Sequence, residues 1–393
     1  MSRLESRIYL SPPHMNGLEP LGVQQVFESN WVAPAGPQIG QFERDLMQYA
    51  ALDGYEACAL SSGTAAIHLG LRALGVQPGD RVFCSDLTFA GGAFPILYEC
   101  AVPVFIDSGP ADGDWCAQMD PAALERALRE HAAAGILPKA VIIADLYGQS
   151  APYDRLLPLL EAYGIPVLED AAEALGAHFR GQPCGSFGRI GAFSFNGNKI
   201  ITSSGGGAAV TADPALMQNI RCWSNQAKAD APYYLHEALG FNYRLSSVCA
   251  AIGSGQLRTL RAHIARRRTI RARYTEALAG LPGQILGDPP GCQSNAWLSV
   301  LRLERSCGVT PETVVATLER DNIEARRAWY PMHCQPIFRD APYVTAEDGI
   351  SQSEEFFRRG VCLPSGSAMP DQVLGEVTDR LKAVLRQNCG VQG

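Results

Sequence analysis

Lysine is scarce in this chain, and one lysine stands where an amine could react. Only Lys139, Lys199, Lys228 and Lys382 are present. Lys199 closes the run Gly191-Ala-Phe-Ser-Phe-Asn-Gly-Asn-Lys199 and opens Ile-Ile-Thr-Ser-Ser-Gly-Gly-Gly207, so it follows an aromatic strand end and precedes three glycines. Small residues allow close approach of backbone or ligand. A lysine withdrawn from water there becomes a nucleophilic amine. An ordinary surface lysine beside a flexible turn fits the same segment equally well. A second candidate is Pro166-Val-Leu-Glu-Asp170-Ala-Ala-Glu173, where an apolar strand ends in acids. A carboxylate there can hold a protonated ring nitrogen, or simply cap the next helix. The third is Ser61-Ser62-Gly63-Thr64-Ala-Ala66, whose backbone N–H groups at a helix start could bind phosphate; a plain Ser/Thr cap after a Gly turn reads the same way. Phe89 could stack on a flat ring or fill a core.

The elements that must position these groups alternate in type between residues 55 and 215. Short apolar runs predict strands at 57–61, 81–85, 102–106, 140–145, 166–169, 190–195 and 207–210. Helical patterns fall at 64–74, 121–134 and 156–163. Such alternation predicts a largely parallel sheet covered on both faces, with ligands at the carboxyl ends of its strands. From Ser246 a long helical stretch carries Arg261, Arg266, Arg267, Arg268, Arg271 and Arg273, read as a solvated basic face. Beyond it, 297–303, 313–320 and 356–359 predict a smaller mixed unit. The expected division is a large domain, 1–250, and a small C-terminal domain, 251–393.

Composition narrows the field. A net charge of -7 argues against nucleic acid as a partner. No G-x-G-x-x-G follows a strand and no G-x-x-x-x-G-K-[ST] is present, which disfavours a conventional nicotinamide enzyme or P-loop nucleotidase. The 12 cysteines, from Cys58 to Cys389, include no C-x-x-C pair, and no metal is expected. Neither a signal peptide nor an apolar run of membrane-spanning length is seen, so a cytoplasmic location without membrane association is expected.

The order of these elements is more specific than any one of them: helix-start phosphate site, aromatic residue, strand-end Asp, then Ser194 and Lys199 five apart. Together with Ser11-Pro-Pro-His-Met15, Trp31-Val-Ala-Pro-Ala-Gly-Pro37, Phe42-Glu43, Gly240-Phe-Asn-Tyr-Arg-Leu245 and Tyr330-Pro-Met-His333, the chain resembles the DegT/DnrJ/StrS sugar aminotransferases nearly end to end. The resemblance implies an α/β chain of the pyridoxal-phosphate transferase fold type I, similar to aspartate aminotransferase. Glu169-Asp-Ala-Ala-Glu-Ala-Leu-Gly176 and Asn196-Gly-Asn-Lys199 look most like PglE-type enzymes, which aminate a UDP-linked 4-keto-6-deoxy-N-acetylglucosamine on the way to bacillosamine-like sugars.

By that resemblance pyridoxal 5'-phosphate is the cofactor, held covalently by Lys199, which is also the catalytic acid–base. Asp170 would pair with the ring nitrogen, Phe89 would stack on the ring, and Ser62, Gly63, Thr64 and Ser194 would hold the phosphate. Glu173 stands near the ring, where most of the family has Gln or His. Asn242 would reach the phosphate in a neighbouring subunit, which implies a homodimer with shared sites. His14, Trp31, Arg244 and His333 are candidate substrate contacts. Glutamate would donate the amine and a nucleotide-linked keto sugar would accept it at carbon 4. Alternatives are a dTDP- or GDP-linked sugar aminated at carbon 3 or 4, a pyridoxal-phosphate-binding regulator without turnover, and a carbohydrate-binding module without cofactor. Retention of Lys199, Asp170 and Ser194 together weighs against the regulator.

Overall fold

In the computed structural model, which describes residues 4–110, 113–114 and 116–388, twelve strands carry most of the architecture. They are β1 (Glu56–Leu60), β2 (Arg81–Ser85), β3 (Val102–Ile106), β4 (Ala140–Ala144), β5 (Val167–Asp170), β6 (Ile190–Ser194), β7 (Gly207–Thr211), β8 (Gly283–Ile285), β9 (Ser299–Leu303), β10 (Arg326–Arg327), β11 (Tyr343–Val344) and β12 (Gly360–Leu363). Three further two-residue strands form a separate ribbon. The main sheet has the order β1-β7-β6-β5-β4-β2-β3-β11. Only β7 runs against its neighbours; β6, β5, β4, β2, β3 and β11 are paired in parallel.

Both faces of this sheet are covered, as continuous apolar strands require. Successive side chains point to opposite faces. Along β2 and β4, Val82, Cys84, Ala140 and Ile142 pack beneath the helix Gly63–Ala73. Phe83, Val141 and Ile143 pack beneath the helices Pro121–Ala133 and Tyr153–Glu161. Local chemistry sets the helix starts: Ser62 and Asp120 accept backbone N–H groups at the helix N-termini, and Pro121 occupies a first-turn position needing no donor. Between residues 55 and 215 the predicted strands and helices fall within three residues of those observed, and β2 and β3 have the predicted bounds; the element expected at 356–359 is a helix that begins at Gln352, and the long helical stretch expected from Ser246 divides into Ser247–Leu257 and Leu260–Ala277.

A four-stranded antiparallel sheet, β8-β9-β12-β10, lies C-terminal to the main one. The helices Leu260–Ala277 and Asp371–Asn388 pack on it through Ile270, Tyr274, Leu374, Val377 and Leu381. We propose 1–250 and 251–393 as the two units, with three strand pairings across the boundary among the described residues: Ile8 bridges Ile323, Cys292–Gln293 pairs with His178–Phe179, and β11 adds an edge strand beside β3. The arginine run needs correction. Leu260, His263, Ile264, Arg267, Ile270 and Tyr274 form the buried stripe of its helix, and Arg267 occupies a core position at helical spacing. Its fully buried guanidinium donates to Trp297 O at 2.5 Å and Ser11 Oγ at 2.9 Å. Burial pulls its pKa down to about 9. Among the described residues no helix is long and apolar enough to cross a membrane. Cys58, Cys84, Cys184, Cys292 and Cys362 are buried thiols outside any disulfide; Cys389 lies outside the described residues.

Candidate active site

The carboxyl ends of β1, β2, β5 and β6 open into a cavity of about 390 Å³. Ser62, Gly63, Thr64, Phe89, Asp170, Glu173, Ser194 and Lys199 all line it. At one end, the chain leaves β1 and turns into the helix Gly63–Ala73. Ser62 is extended and its Oγ accepts from Ala65 N at 3.0 Å. The first N–H groups of a helix have no intrahelical acceptor, so Gly63 and Thr64 present donors there. This corner is tight: a Cβ on Gly63 would stand 3.0 Å from Ser194 Cβ, and one on Gly207 would stand 2.3 Å from Gly63 N.

At the other end, the last two residues of β5 diverge. Glu169 points away from the cavity and accepts backbone N–H groups of Gly185, Phe187 and Gly188 at 2.5, 2.7 and 3.3 Å. Asp170 faces the cavity and, among the described residues, accepts a hydrogen bond only from Ala172 N at 3.2 Å. Burial pushes its carboxyl up to about 6, because desolvation penalises the charged form. Gly92 leaves room beside it: a Cβ there would lie 2.8 Å from Asp170 Oδ2.

Lys199 reaches in from the turn after β6. Its Nζ donates to Glu173 Oε1 at 3.2 Å and lies 4.2 Å from the centre of the Trp297 ring. Glu173 Oε2 accepts from Tyr147 N at 2.7 Å. Burial raises the Glu173 carboxyl above its usual range, opposed by the nearby ammonium. Trp297 is fixed in turn by its indole N–H, which donates to Asn198 O at 2.7 Å.

Sequence reading missed the opposite wall. Arg326 and Trp329 line the cavity from the C-terminal half, with Asn196 and Asn198 at its floor. Trp329 lies 5.7 Å from Phe89 and is stacked parallel to Tyr147 at 6.4 Å. Asn198, Arg326 and Trp329 also line an adjoining cavity of about 320 Å³ bounded by Tyr9, Pro13 and Trp297. The aromatic pair Trp329-Tyr330 beside Tyr330-Pro-Met-His333 was the available signal.

Five candidates lie elsewhere. Asn242 is exposed and bridges Asn225. Trp31 is half exposed. His14 contacts Ser367 Oγ at 3.0 Å and stacks on His263. Arg244 bridges Leu60, and its buried Nε has no hydrogen-bond partner among the described residues. His333 is held against Asp86.

Comparison with known proteins gives the site its context. Residues 15–382 match the model of the DegT/DnrJ/EryC1/StrS aminotransferase family. EpsN of Bacillus subtilis (strain 168), provisionally named a pyridoxal phosphate-dependent aminotransferase, is 48% identical over 379 residues, covering 96% of each chain. GDP-perosamine synthase of Caulobacter vibrioides is 32% identical over 382 residues, covering 96% of this chain and 98% of that one. The crystal structure of DesI in the presence of its TDP-sugar product superposes with a TM-score of 0.87 at 25% identity, covering 100% of this chain and 96% of that one. With a family match across nearly the whole chain and a 48% identical relative of equal extent, this chain belongs to the DegT/DnrJ/EryC1/StrS aminotransferase family.

Proposed function

We propose that this protein, a pyridoxal-phosphate-dependent sugar aminotransferase, moves an amino group from glutamate to carbon 4 of a nucleotide-linked 4-keto-6-deoxy sugar, UDP-2-acetamido-2,6-dideoxy-4-hexulose, in bacterial glycan synthesis. The observation that carries this reading is the placement of two buried carboxylates, one largely buried amine and one helix N-terminus around a single cavity.

The donor set fits pyridoxal phosphate. The cavity between Asp170, beside which Gly92 leaves a side chain's space, and the helix start at Gly63 and Thr64 leaves room for a flat ring with its phosphate at the helix start. When bound, the cofactor supplies the conjugated ring that accepts an electron pair from the substrate carbon. The chain's own groups do the rest. Asp170 places a negative charge against the ring nitrogen. Ser62, Gly63, Thr64 and Ser194 offer donors to the phosphate. Lys199 Nζ takes and returns a proton at the substrate carbon. Glu173 and Trp297 hold that amine in place. Phe89 and Trp329, whose rings lie 5.7 Å apart, flank the cavity together and would cover one side of the bound ring.

We further propose a cytoplasmic homodimer in which the exposed Asn242 serves the neighbouring site. A GDP-linked keto sugar is the second reading, favoured by the resemblance to GDP-perosamine synthase. The test follows the cofactor's visible band. Glutamate should discharge it and a keto sugar restore it, with UDP-, GDP- and dTDP-linked sugars compared. Lys199→Ala should lower turnover by about 10⁴-fold. Discharge by glutamate without recovery on the UDP-sugar would sink that substrate while leaving the transaminase; a wild-type chain that forms no lysine-dependent band would sink both.

A further inference from the structure

Outside the cavity, a histidine, a thiol and a carboxylate from two distant segments meet at one point. His333 and Cys334 lie in the 3-10 turn Met332–Cys334, and Glu354 lies on the helix Gln352–Arg359. His333 Nε2 is 3.2 Å from Cys334 Sγ and 3.5 Å from Glu354 Oε1. All three ligand atoms lie within 4.8 Å of one another. In a tetrahedral zinc centre, Zn–N and Zn–O bonds of roughly 2.0–2.2 Å and Zn–S bonds of about 2.3 Å place neighbouring ligand atoms about 3.3–3.6 Å apart. Two edges of such a tetrahedron are therefore already formed to within a few tenths of an ångström.

The ligands are also aimed. Asp86 is buried at the turn after β2, and its carboxylate accepts from His333 Nδ1 at 2.8 Å and from His333 N at 2.9 Å. The Tyr343 ring lies flat on the imidazole, centroids 3.7 Å apart. With Nδ1 donating to the carboxylate, the Nε2 lone pair faces the thiol. A carboxylate on the far nitrogen is the device that fixes tautomer and ring orientation in metal-binding histidines. Glu354 divides its oxygens: Oε2 takes Arg358 at 2.5 Å, while Oε1 turns to the histidine. All three ligands are partly exposed, which provides an entry path and a fourth position for water.

We propose that His333, Cys334 and Glu354 bind one zinc ion, with Asp86 as the residue that orients the histidine. The mixed nitrogen, sulfur and oxygen set disfavours magnesium and calcium. On binding, the Cys334 thiol releases its proton to solvent as the sulfur–metal bond forms. The ion ties the helix Gln352–Arg359 to the turn Met332–Cys334, which Asp86 holds against the end of β2. Linear spacing hides the site, because two ligands are adjacent and the third is twenty residues away.

The test uses the full chain with its cofactor bound, stripped of metal by a chelator and titrated with zinc against a chromophoric competitor. Binding of one equivalent per chain is expected, weakened at least about tenfold by Cys334→Ala or Glu354→Gln and by about 10–100-fold in Asp86→Asn. Cys222→Ala, which removes an exposed thiol elsewhere, should leave it unchanged. Cobalt(II) in place of zinc should give thiolate-to-metal charge transfer and intense visible bands to the red of the cofactor, both lost in Cys334→Ala. If that variant misfolds, Glu354→Gln decides, since the Glu354 side chain is itself partly exposed and its Arg358 partner mostly so. Zinc binding equal in wild type and Glu354→Gln, or a cobalt spectrum without the thiolate band, overturns the proposal.

Discussion

The two walls of the cavity are built on different principles. The first consists of strand ends and the turns after them: Ser62–Thr64 beyond β1, Phe89 beyond β2, Asp170 on β5, Ser194 on β6 and Lys199 just past it. A hydrogen-bonded sheet fixes where each of these side chains starts. The second, built from Trp329, Arg326 and the supporting Trp297, has no sheet of that size behind it. Arg326 stands on the two-residue strand β10, paired with Glu324, and the other groups are positioned by stacking and hydrogen bonds: Trp329 on Tyr147, Trp297 on Asn198, and the buried Arg267 on both Trp297 and Ser11. A wall pinned by a sheet suits a cofactor that every turnover reuses. A wall assembled from side chains from distant parts of the chain can change shape without disturbing the first, which suits substrate choice.

If that division is right, damage to the first wall should show in chemistry and cofactor, and damage to the second in substrate binding or stability. Asp170→Asn should have the largest effect in this group, lowering kcat by about 10²–10³-fold through loss of the charge facing the ring nitrogen. The same change should stabilise the cofactor-free chain. Burial lifts the Asp170 carboxyl from 3.8 to about 6, so between those values the folded state binds more protons than the unfolded one. Stability from this group is then greatest below about pH 4 and falls as pH rises through 6. Removing the charge should recover roughly 3 kcal/mol at neutral pH. Thermal melts of the cofactor-free pair across pH 3–8 would read this directly; a steeper pH dependence in the variant would contradict it. Arg267→Ala comes next. It leaves a cavity under the second wall and frees Trp297 and Ser11, at a cost of about 3 kcal/mol, measurable as a lowered denaturation midpoint.

Why one wall was legible in the sequence and the other was not follows from the same physics. Strand ends are marked locally: Val-Leu-Glu-Asp170 shows where β5 stops, and Ser62-Gly63-Thr64 shows a cap. Order along the chain then brought eight residues to one cavity. Glu169 and Asp170 could be named as a pair, but which of them faced the ligand depended on sheet pleat and on the Gly185–Gly188 turn that occupies Glu169. The second wall rests on contacts between residues far apart in sequence, such as Trp329 with Phe89, which no local pattern encodes. Arg267 is readable in principle, since Leu260, Ile264, Ile270 and Tyr274 mark its helix face, but a run of arginines masks that spacing. The edge strand β11 was hidden because two residues carry no period, and β7 runs antiparallel although its apolar run looks like the parallel strands beside it.

The comparison sharpens further with two smaller perturbations. Trp329→Ala should raise KM for the keto sugar about tenfold, near 1.4 kcal/mol, while leaving cofactor affinity and the glutamate half-reaction close to wild type. Equal loss in both half-reactions would erase the distinction between the walls. Glu173→Gln probes the seam between them, because Glu173 links the Lys199 amine of the first wall to Tyr147, on which Trp329 stacks. Lys199 Nζ and Tyr147 N donate to different oxygens of Glu173, so in the same pose the amide sets its NH2, a donor, against one of the two. A loss of only a few-fold in turnover is expected, since the amine itself remains. The pH profile should change more than the rate. Burial raises the Glu173 carboxyl above its ordinary range, so in wild type it takes up a proton, and loosens its hold on the lysine, at a higher pH than an exposed glutamate would. The variant has no such proton to take up, and its rate of cofactor reloading should lose that acid limb. An unchanged limb would assign the titration to Asp170 and leave Glu173 as a purely geometric link between the two walls.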